Sequence, residues 1–154
     1  MTAHVADFGI ARMISGSDSA ETGSTSTLGV KGSMGYIAPE YGTGGQASTK
    51  GDVYSYGIML LQMITGKSPT DDEFRGELNL PNWVQMLFPE RAQEIVDRMV
   101  LRSTTKYELS QCVEPFIRIG LECSKLSPYE RPTARDVART LEAIKSRITF
   151  SIET

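Results

Sequence analysis

The chain has 154 residues, 40% of them hydrophobic, which is enough for one domain with its own core. A formal net charge of -3 does not provide the strongly basic face that nucleic-acid binding needs, and it is too small to indicate a disordered acidic chain. The most apolar run, 53–64, is shorter than the roughly 20 residues of a membrane span, and the N-terminus lacks the pattern of a secretory signal.

The first third of the chain is predicted to contain little regular structure. Residues 3–8 indicate a brief strand that ends at Gly9, and the single histidine, His4, is interpreted as structural. Residues 13–33 are rich in Ser, Thr and Gly, a composition that buries little apolar surface and predicts a mobile loop. Pro39 and the glycine-rich run 42–45 mark turns around a short helical stretch.

The next segment predicts the central helix of the domain. Ser48 or Thr49 can cap its start, and the pattern continues to about Thr65 and stops at Gly66. Its apolar residues point in nearly every direction, which predicts a helix buried on all sides. Residues 67–80, with Pro69, are predicted to form a loop.

The second half is predicted to be helical, so the whole chain is assigned to the mainly α class. Residues 81–87 and 91–101 are short helix candidates. The stretch 108–124 has an apolar face interrupted by Pro115, so its helix either starts at Pro115 or kinks there. The last helix is the clearest, with Thr133 and Asp136 in a capping-box pattern before it. Its predicted apolar face consists of Ala134, Val137, Ala138, Leu141, Ile144 and Ile148.

Two local patterns are interpreted as structural. Cys112 and Cys123 lie eleven residues apart in a predicted helix, about 16 Å, which is too far for a disulfide. Both are predicted to be buried thiols in a reducing compartment, with no zinc site. The triplet 66–68 resembles the end of a phosphate-binding loop, but Leu61 stands where that motif needs glycine and the triplet closes a helix.

Four motifs follow one another in a specific order. They are Asp7-Phe8-Gly9, the run 32–40 that ends in Ala-Pro-Glu, the Asp-Val-Tyr-Ser-Tyr-Gly run 52–57, and Arg131-Pro132. In this order the chain resembles the C-terminal half of a eukaryotic protein kinase domain, from the metal-binding motif to the last helix. Residues 3–12, 60–71 and 118–124 resemble plant leucine-rich-repeat receptor-like serine/threonine kinases.

The resemblance implies roles for the first two motifs. Asp7 would bind the Mg²⁺ that bridges the phosphates of ATP, Phe8 would pack in the core, and Gly9 would let the backbone turn. Residues 7–40 would form the activation segment, in which Ser33 faces the site of the substrate hydroxyl. The other activation-segment residues singled out are Gly35, Tyr36 and Glu40, and the candidate phosphorylation sites are Thr25, Ser26, Thr27 and Ser33.

The later motifs have architectural roles in the family. Arg131 is expected to pair with Glu40 and to anchor the activation segment to the helical lobe. Asp52, which suits the helix dipole, would also hold the catalytic loop. Two residues depart from the family pattern, because Gln62 replaces a usual Glu and Pro115 lies inside a helix that is normally unbroken.

The 154 residues lack the other catalytic parts of the family. There is no glycine-rich loop, no strand lysine with its partner glutamate, and no His-Arg-Asp loop with its Asn. The expected fold is therefore the C-terminal lobe of the protein-kinase-like fold without the N-lobe and the catalytic loop. Residues 1–150 would form a partial kinase domain, with the helical lobe at 41–150 and a tail at 151–154.

Three functions stay open at this point. The first is a partial kinase domain that is inactive alone and binds neither Mg²⁺ nor ATP by itself. The second is a binding module that engages a kinase or its substrate, and the third is an enzyme completed by another chain. The expected partners are a protein substrate or a kinase, with self-association through exposed lobe surface. The expected location is cytoplasmic, at the plasma membrane for the parent family.

Overall fold

The computed structural model describes residues 33–44, 47–74, 76, 78–102 and 104–152. These ranges contain helices and connecting turns but no strand, which confirms the mainly α prediction. The α-helices are α1 (Pro39–Gly42), α2 (Thr49–Thr65), α3 (Leu80–Leu87), α4 (Ala92–Ile95), α5 (Arg98–Arg102), α6 (Lys106–Glu108), α7 (Glu114–Cys123) and α8 (Ala134–Ile152). A 3-10 helix (Asp72–Phe74) precedes α3, and a π-helical segment (Leu109–Val113) joins α6 to α7.

Helix α2 begins and ends where the sequence predicts. Ser48 is extended, and its hydroxyl accepts a hydrogen bond from the Gly51 backbone N–H at 3.3 Å. Gly66 adopts the left-handed conformation with φ of 68°, and its N–H donates to the Gln62 carbonyl at 2.8 Å. A side chain at this position would be strained, so glycine terminates the helix cleanly.

The prediction that α2 is buried on all sides is wrong at two of its apolar residues. Met59 and Met63 have 42% and 67% of their surface exposed, whereas Ile58 and Leu61 are fully buried. Among the described helices, α2 makes its most extensive contacts with α7, α3 and α8. The exposed methionines show that this packing leaves part of its circumference uncovered. Both methionines lie one turn apart, so they mark one exposed apolar face.

The most extensive contact between described helices is that of α2 with α7. A Cβ added to Gly57 would lie 2.7 Å from the Cys123 Cβ, and one added to Gly120 would lie 2.5 Å from Leu61 Cδ2. The two glycines therefore allow the two helices to approach closely where they cross. Cys123 is fully buried at this crossing, and its burial raises the pKa of the thiol to about 11.

Two predicted segments differ in detail from the structure. The predicted loop 67–80 contains the 3-10 helix and the first residue of α3. The predicted helix 91–101 is broken into α4 and α5 at Asp97. The Asp97 carboxylate accepts from the Met99 N–H at 2.7 Å, and its own N–H donates to the Ile64 carbonyl at 2.9 Å. The Asp97 side chain caps the start of α5, and its backbone N–H links that start to the end of α2.

Pro115 is the second residue of α7, so a new α-helix starts next to it, which is one of the two predicted alternatives. It occupies the first turn of α7, where the missing N–H removes no bond within that helix, and the wider π-helical turn precedes it. Cys112, in the π-helical segment, is half-buried, so the prediction of two buried thiols holds only for Cys123. Both thiols are free, as predicted.

The capping box at α8 forms as predicted. The Asp136 N–H donates to the Thr133 hydroxyl, and the Thr133 N–H donates to the Asp136 carboxylate, both at 3.2 Å. The predicted apolar face of α8 is correct at Val137 and Ile144, which are buried. It is wrong at Ala134 and Ala138, which are exposed although Val137 between them is buried.

Candidate functional site

The most constrained polar group in the described residues is the guanidinium of Arg131. Its side chain is completely buried, and it uses all five N–H donors. Two bonds of 2.7 Å reach the two carboxylate oxygens of Glu40, one from each terminal nitrogen. The other three reach backbone carbonyls, at 2.7 Å to Lys125 and 2.9 Å to both Lys50 and Leu126. We call this group of contacts the Arg131 anchor.

The Arg131 anchor joins parts of the chain that are far apart in sequence. Glu40 lies in α1, which follows the Ser33–Ala38 turn, while Arg131 lies 91 residues later in the loop before α8. The hydrogen bonds from Arg131 hold the pKa of the Glu40 carboxyl below its usual value of 4.5, against the opposing effect of burial. The carboxylate is therefore charged at neutral pH, and Arg131 and Glu40 form a bidentate, charge-assisted pair.

Two further residues complete the anchor. The ammonium of Lys50 donates to the Arg131 backbone carbonyl, so Lys50 and Arg131 exchange hydrogen bonds. The ring of Tyr54, on α2, lies 4.9 Å from the centre of the Arg131 guanidinium, which is the geometry of a cation–π contact. Burial raises the pKa of the Tyr54 hydroxyl. The anchor is thus enclosed by α1, the start of α2 and the loop before α8.

The Ser33–Ala38 turn lies against α2 through Tyr36. The Ser55 hydroxyl donates to the Tyr36 carbonyl at 2.7 Å, and the Tyr36 hydroxyl donates to the side-chain oxygen of Gln62. Gly35 has φ of 90°, and a Cβ there would lie 2.9 Å from the ring of Pro69. Only glycine combines this conformation with this close approach. Ser33, at the start of the turn, is exposed.

A second tyrosine locks the short connection between α1 and α2. The Tyr41 hydroxyl accepts from the Ser48 N–H at 3.0 Å and lies 3.2 Å from the Ser48 carbonyl. A Cβ added to Gly51 would lie 1.9 Å from the same hydroxyl oxygen. Glycine at the first turn of α2 is therefore required by the tyrosine that packs against it.

The lysine of the triplet 66–68 is occupied by structural contacts. The Lys67 ammonium lies 2.5 Å from a Glu73 carboxylate oxygen and 5.2 Å from the centre of the Trp83 ring. The Trp83 ring in turn makes an edge contact with Phe74 at 6.1 Å. The triplet closes α2 as predicted, and its lysine is part of the packing between the loop and α3.

Several predicted site residues lie outside the described residues. They are Asp7, Phe8, Gly9, Thr25, Ser26 and Thr27. Within the described ranges, no group of three or more His, Cys, Asp or Glu residues could hold a metal ion. The Mg²⁺ ligand Asp7 and the predicted phosphorylation sites in the loop therefore stay predictions. No helix in the same ranges is long and apolar enough to cross a membrane.

The structure brings together the predicted pair Glu40 and Arg131, and it places Gly35 and Tyr36 in one turn with Ser33. Asp52 lies apart from them. It occupies the first turn of α2 and is exposed, so its predicted contact with a catalytic loop stays a prediction.

Sequence reasoning missed the residues that hold the turn and complete the anchor. Ser55 and Gln62 are polar residues seven positions apart on an otherwise apolar helix, and this spacing places them on one face. That pattern could have indicated a polar contact. Lys50 and Tyr54 offered no comparable signal, because their partner is a single residue about 80 positions away.

The sequence of the chain is similar to those of known protein kinases. Residues 2–141 match the model of the protein kinase domain. The chain is 39% identical to the rice receptor kinase-like protein Xa21 over 96% of the chain. It is 37% identical to the Arabidopsis LRR receptor-like serine/threonine-protein kinase EFR over 100% of the chain. These matches span only 15% and 14% of the two relatives.

Among the solved structures with a similar fold is a pseudokinase domain. That structure is the pseudokinase domain of BIR2, described as an immune regulator of the RLK/Pelle family. The TM-score is 0.61 at 33% sequence identity, and the similarity covers 75% of this chain and 34% of the other. The described helices therefore correspond to part of a kinase domain.

Proposed function

The chain belongs to the protein kinase domain family, and on that premise we propose that it forms the substrate-presenting, helical part of a receptor-like serine/threonine kinase domain. In the complete domain the activity would be transfer of the γ-phosphate of Mg²⁺-bound ATP to a protein serine or threonine. The single observation that supports this role best is the Arg131 anchor. It ties the end of the predicted activation segment, at Glu40, to the helical body.

Positioning is the contribution that such an anchor can make to phosphoryl transfer. Catalysis in this reaction class consists largely of orienting the reactants and neutralising charge, so a displaced substrate site lowers the rate. Ser33, Gly35 and Tyr36 lie in the turn just before α1, and Glu40 fixes α1 to the body. The proposed role of Ser33 is to line the site of the incoming hydroxyl.

The 154 residues alone are proposed not to transfer phosphate. They contain Asp7, the proposed Mg²⁺ ligand, but not the catalytic aspartate or the residues that cradle ATP. The proposed partners are a protein substrate and kinases of the same group, and the proposed location is the cytoplasmic side of the plasma membrane. The similarity to a pseudokinase domain supports the second candidate, a non-catalytic module that engages a kinase.

Nucleotide binding by the purified chain tests this proposal first. A thermal-shift titration with Mg²⁺-ATP, together with circular dichroism, should show a folded helical chain whose melting temperature does not change at millimolar ATP. An Asp7→Asn variant should behave in the same way. A shift that the Asp7→Asn variant abolishes would contradict the proposal that the chain lacks a nucleotide site.

Phosphate transfer and binding are then measured separately. The chain should label no serine/threonine peptide library with radioactive ATP, and labelling that depends on Asp7 would overturn the proposed inactivity. The binding module is tested by titrating the chain into a purified, catalytically active receptor-like kinase domain. Saturable binding there, with a change in that kinase's rate, would favour the second candidate over the first.

A further inference from the structure

The Ser33–Ala38 turn and α1 are attached to the helical body at two points with different chemistry. The Arg131 anchor is charged and buried, with five hydrogen bonds from one guanidinium. The attachment of Tyr36 consists of two hydrogen bonds between neutral groups, and Tyr36 is only half-buried. Charge-assisted bonds are roughly twice as strong as neutral ones, so the Tyr36 attachment is the weaker of the two.

The neutral attachment holds Tyr36 at both of its ends. Ser55 binds the backbone carbonyl, and Gln62 binds the side-chain hydroxyl. Seven residues of helix separate Ser55 from Gln62, a rise of about 10 Å, so Tyr36 lies along two turns of α2. One face of α2 therefore fixes both the position of the turn and the direction of the tyrosine ring.

The surroundings of this attachment allow it to open locally. Met34 in the turn and Met59 and Met63 on α2 are exposed, so little apolar surface covers the contact. The one buried residue of the turn is Ala38, at its end next to α1 and the Arg131 anchor. Gly35 rests on Pro69 in the loop after α2, outside the tightly packed crossing of α2 with α7. Segments with few buried contacts and solvent-accessible hydrogen bonds open at lower free energy than the core.

We propose that Ser55 and Gln62 are positioning residues that form a neutral latch for Tyr36, and that the Ser33–Ala38 turn opens on this latch while the Arg131 anchor and the helical core stay closed. The inference rests on the proposed function for its consequence, because the turn carries Ser33, the proposed substrate-facing residue. Opening of the latch would then set how often the turn is in position to receive a substrate.

The side chain at position 62 sets whether the hydrogen bond from the Tyr36 hydroxyl is neutral or charge-assisted. An amide oxygen accepts the Tyr36 hydroxyl without carrying charge, so the latch is independent of carboxyl titration. A carboxylate at the same position would accept a charge-assisted, stronger bond. The amide of Gln62 therefore makes the turn easier to open than a carboxylate at the same position would.

Hydrogen exchange measured by mass spectrometry on the whole chain tests the latch. Tyr36→Phe, Ser55→Ala and Gln62→Leu should each speed exchange in the peptide containing residues 33–38 by about fivefold, the effect of losing one neutral hydrogen bond. Peptides from α2 and α7 should exchange as in the unmodified chain. Tyr129→Phe is the matched control, because Tyr129 is 94% exposed, and it should leave every peptide unchanged.

Two comparisons make the test decisive. The double variant Tyr36→Phe with Gln62→Leu should match the stronger single variant, because both changes remove the same bond. Gln62→Glu at neutral pH should slow exchange of the turn. Unchanged exchange at 33–38 in all three single variants, or equal acceleration in α2, would overturn the latch. Since exchange needs no nucleotide or catalysis, such a failure leaves the proposed function untouched, and failure of the proposed function leaves the exchange result standing.

Discussion

The Arg131 anchor and the crossing of α2 with α7 both join distant parts of the chain, but they do so by opposite means. The anchor buries one charged side chain and satisfies every donor on it. The crossing instead depends on residues without side chains, because Gly57 and Gly120 allow the two helices to approach closely. The comparison shows that the anchor depends on the identity of one residue, whereas the crossing depends on the space that two residues leave free.

Removal of the guanidinium should produce the largest effect. Arg131→Met would leave the Glu40 carboxylate and three backbone carbonyls without their donor, and breaking a buried pair in this way costs about 3–5 kcal/mol. The free energy of unfolding from urea denaturation should fall by that amount. Arg131→Lys keeps the charge but not the planar fork, so it should lose a smaller part of the stability.

The control for this experiment is an exposed arginine in a loose ion pair. Arg139 lies 3.8 Å from Asp136 with 71% of its side chain exposed, so Arg139→Met should change stability by less than about 0.5 kcal/mol. Equal losses for the Arg131→Met and Arg139→Met variants would show that the anchor contributes nothing beyond an ordinary surface contact.

Filling the crossing should have a smaller effect. In Gly57→Ala the new Cβ would lie 2.7 Å from the Cys123 Cβ and 2.9 Å from the Gly120 carbonyl oxygen. Because backbone cannot move aside easily, we expect a loss of about 2 kcal/mol in the free energy of unfolding, despite the better helix propensity of alanine. Thermal or urea unfolding followed by circular dichroism measures it.

Two further glycine-to-alanine variants test whether the loss of stability follows the space around the new Cβ. Gly120→Ala should cost less, since its nearest neighbour is the flexible end of the Leu61 side chain. Gly42→Ala has no atom within 4 Å of the new Cβ and should not destabilise the chain. A loss for Gly42→Ala as large as that for Gly57→Ala would mean that crowding at the crossing is not the cause.

The smallest expected effect is a difference between the anchor and the crossing in how their stability depends on pH. The pKa of Glu40 is lowered in the folded chain, so its contribution to stability is present above the usual value of 4.5 and is lost as the pH falls through the lowered folded value. The crossing has no acidic group with a lowered pKa. We expect acid to weaken the anchor while leaving the crossing intact.

Glu40→Gln isolates this contribution. The carboxyls of Glu94, Glu108 and Asp136 also have lowered pKa values, but they are present in both proteins and cancel in the difference. The stability advantage of the unmodified chain over Glu40→Gln, measured by urea unfolding, should shrink as the pH is lowered from 7 through 4.5 and below. An advantage that is constant across this range would exclude linkage through Glu40.

The local ends of the helices could be predicted because their causes are local. Ser48 and Gly66 bound α2, and Thr133 with Asp136 begins α8, through hydrogen bonds that span four residues or fewer. The pair of Glu40 and Arg131 was also predicted, although 91 residues separate them, because the resemblance to a family supplied what local chemistry could not.

Errors arose where burial depends on neighbours. The all-round apolar pattern of α2 predicted full burial, but Met59 and Met63 are exposed because the described helices pack around only part of α2. The split of 91–101 into two helices depends on Asp97 binding to the end of α2, a contact across 33 residues. Periodicity describes one element at a time and carries no information on what packs against it.

The sequence by itself determined the helical class, the caps, the kinase family and the pairing partner of Arg131, because each follows from short-range chemistry or from motifs in a fixed order. Only the tertiary structure decided that all five donors of Arg131 are used, that Gly57 and Gly120 set the crossing, and that Ser55 and Gln62 hold Tyr36. These features require atoms from separate elements to meet within about 3 Å, and the path of the folded chain alone brings them there.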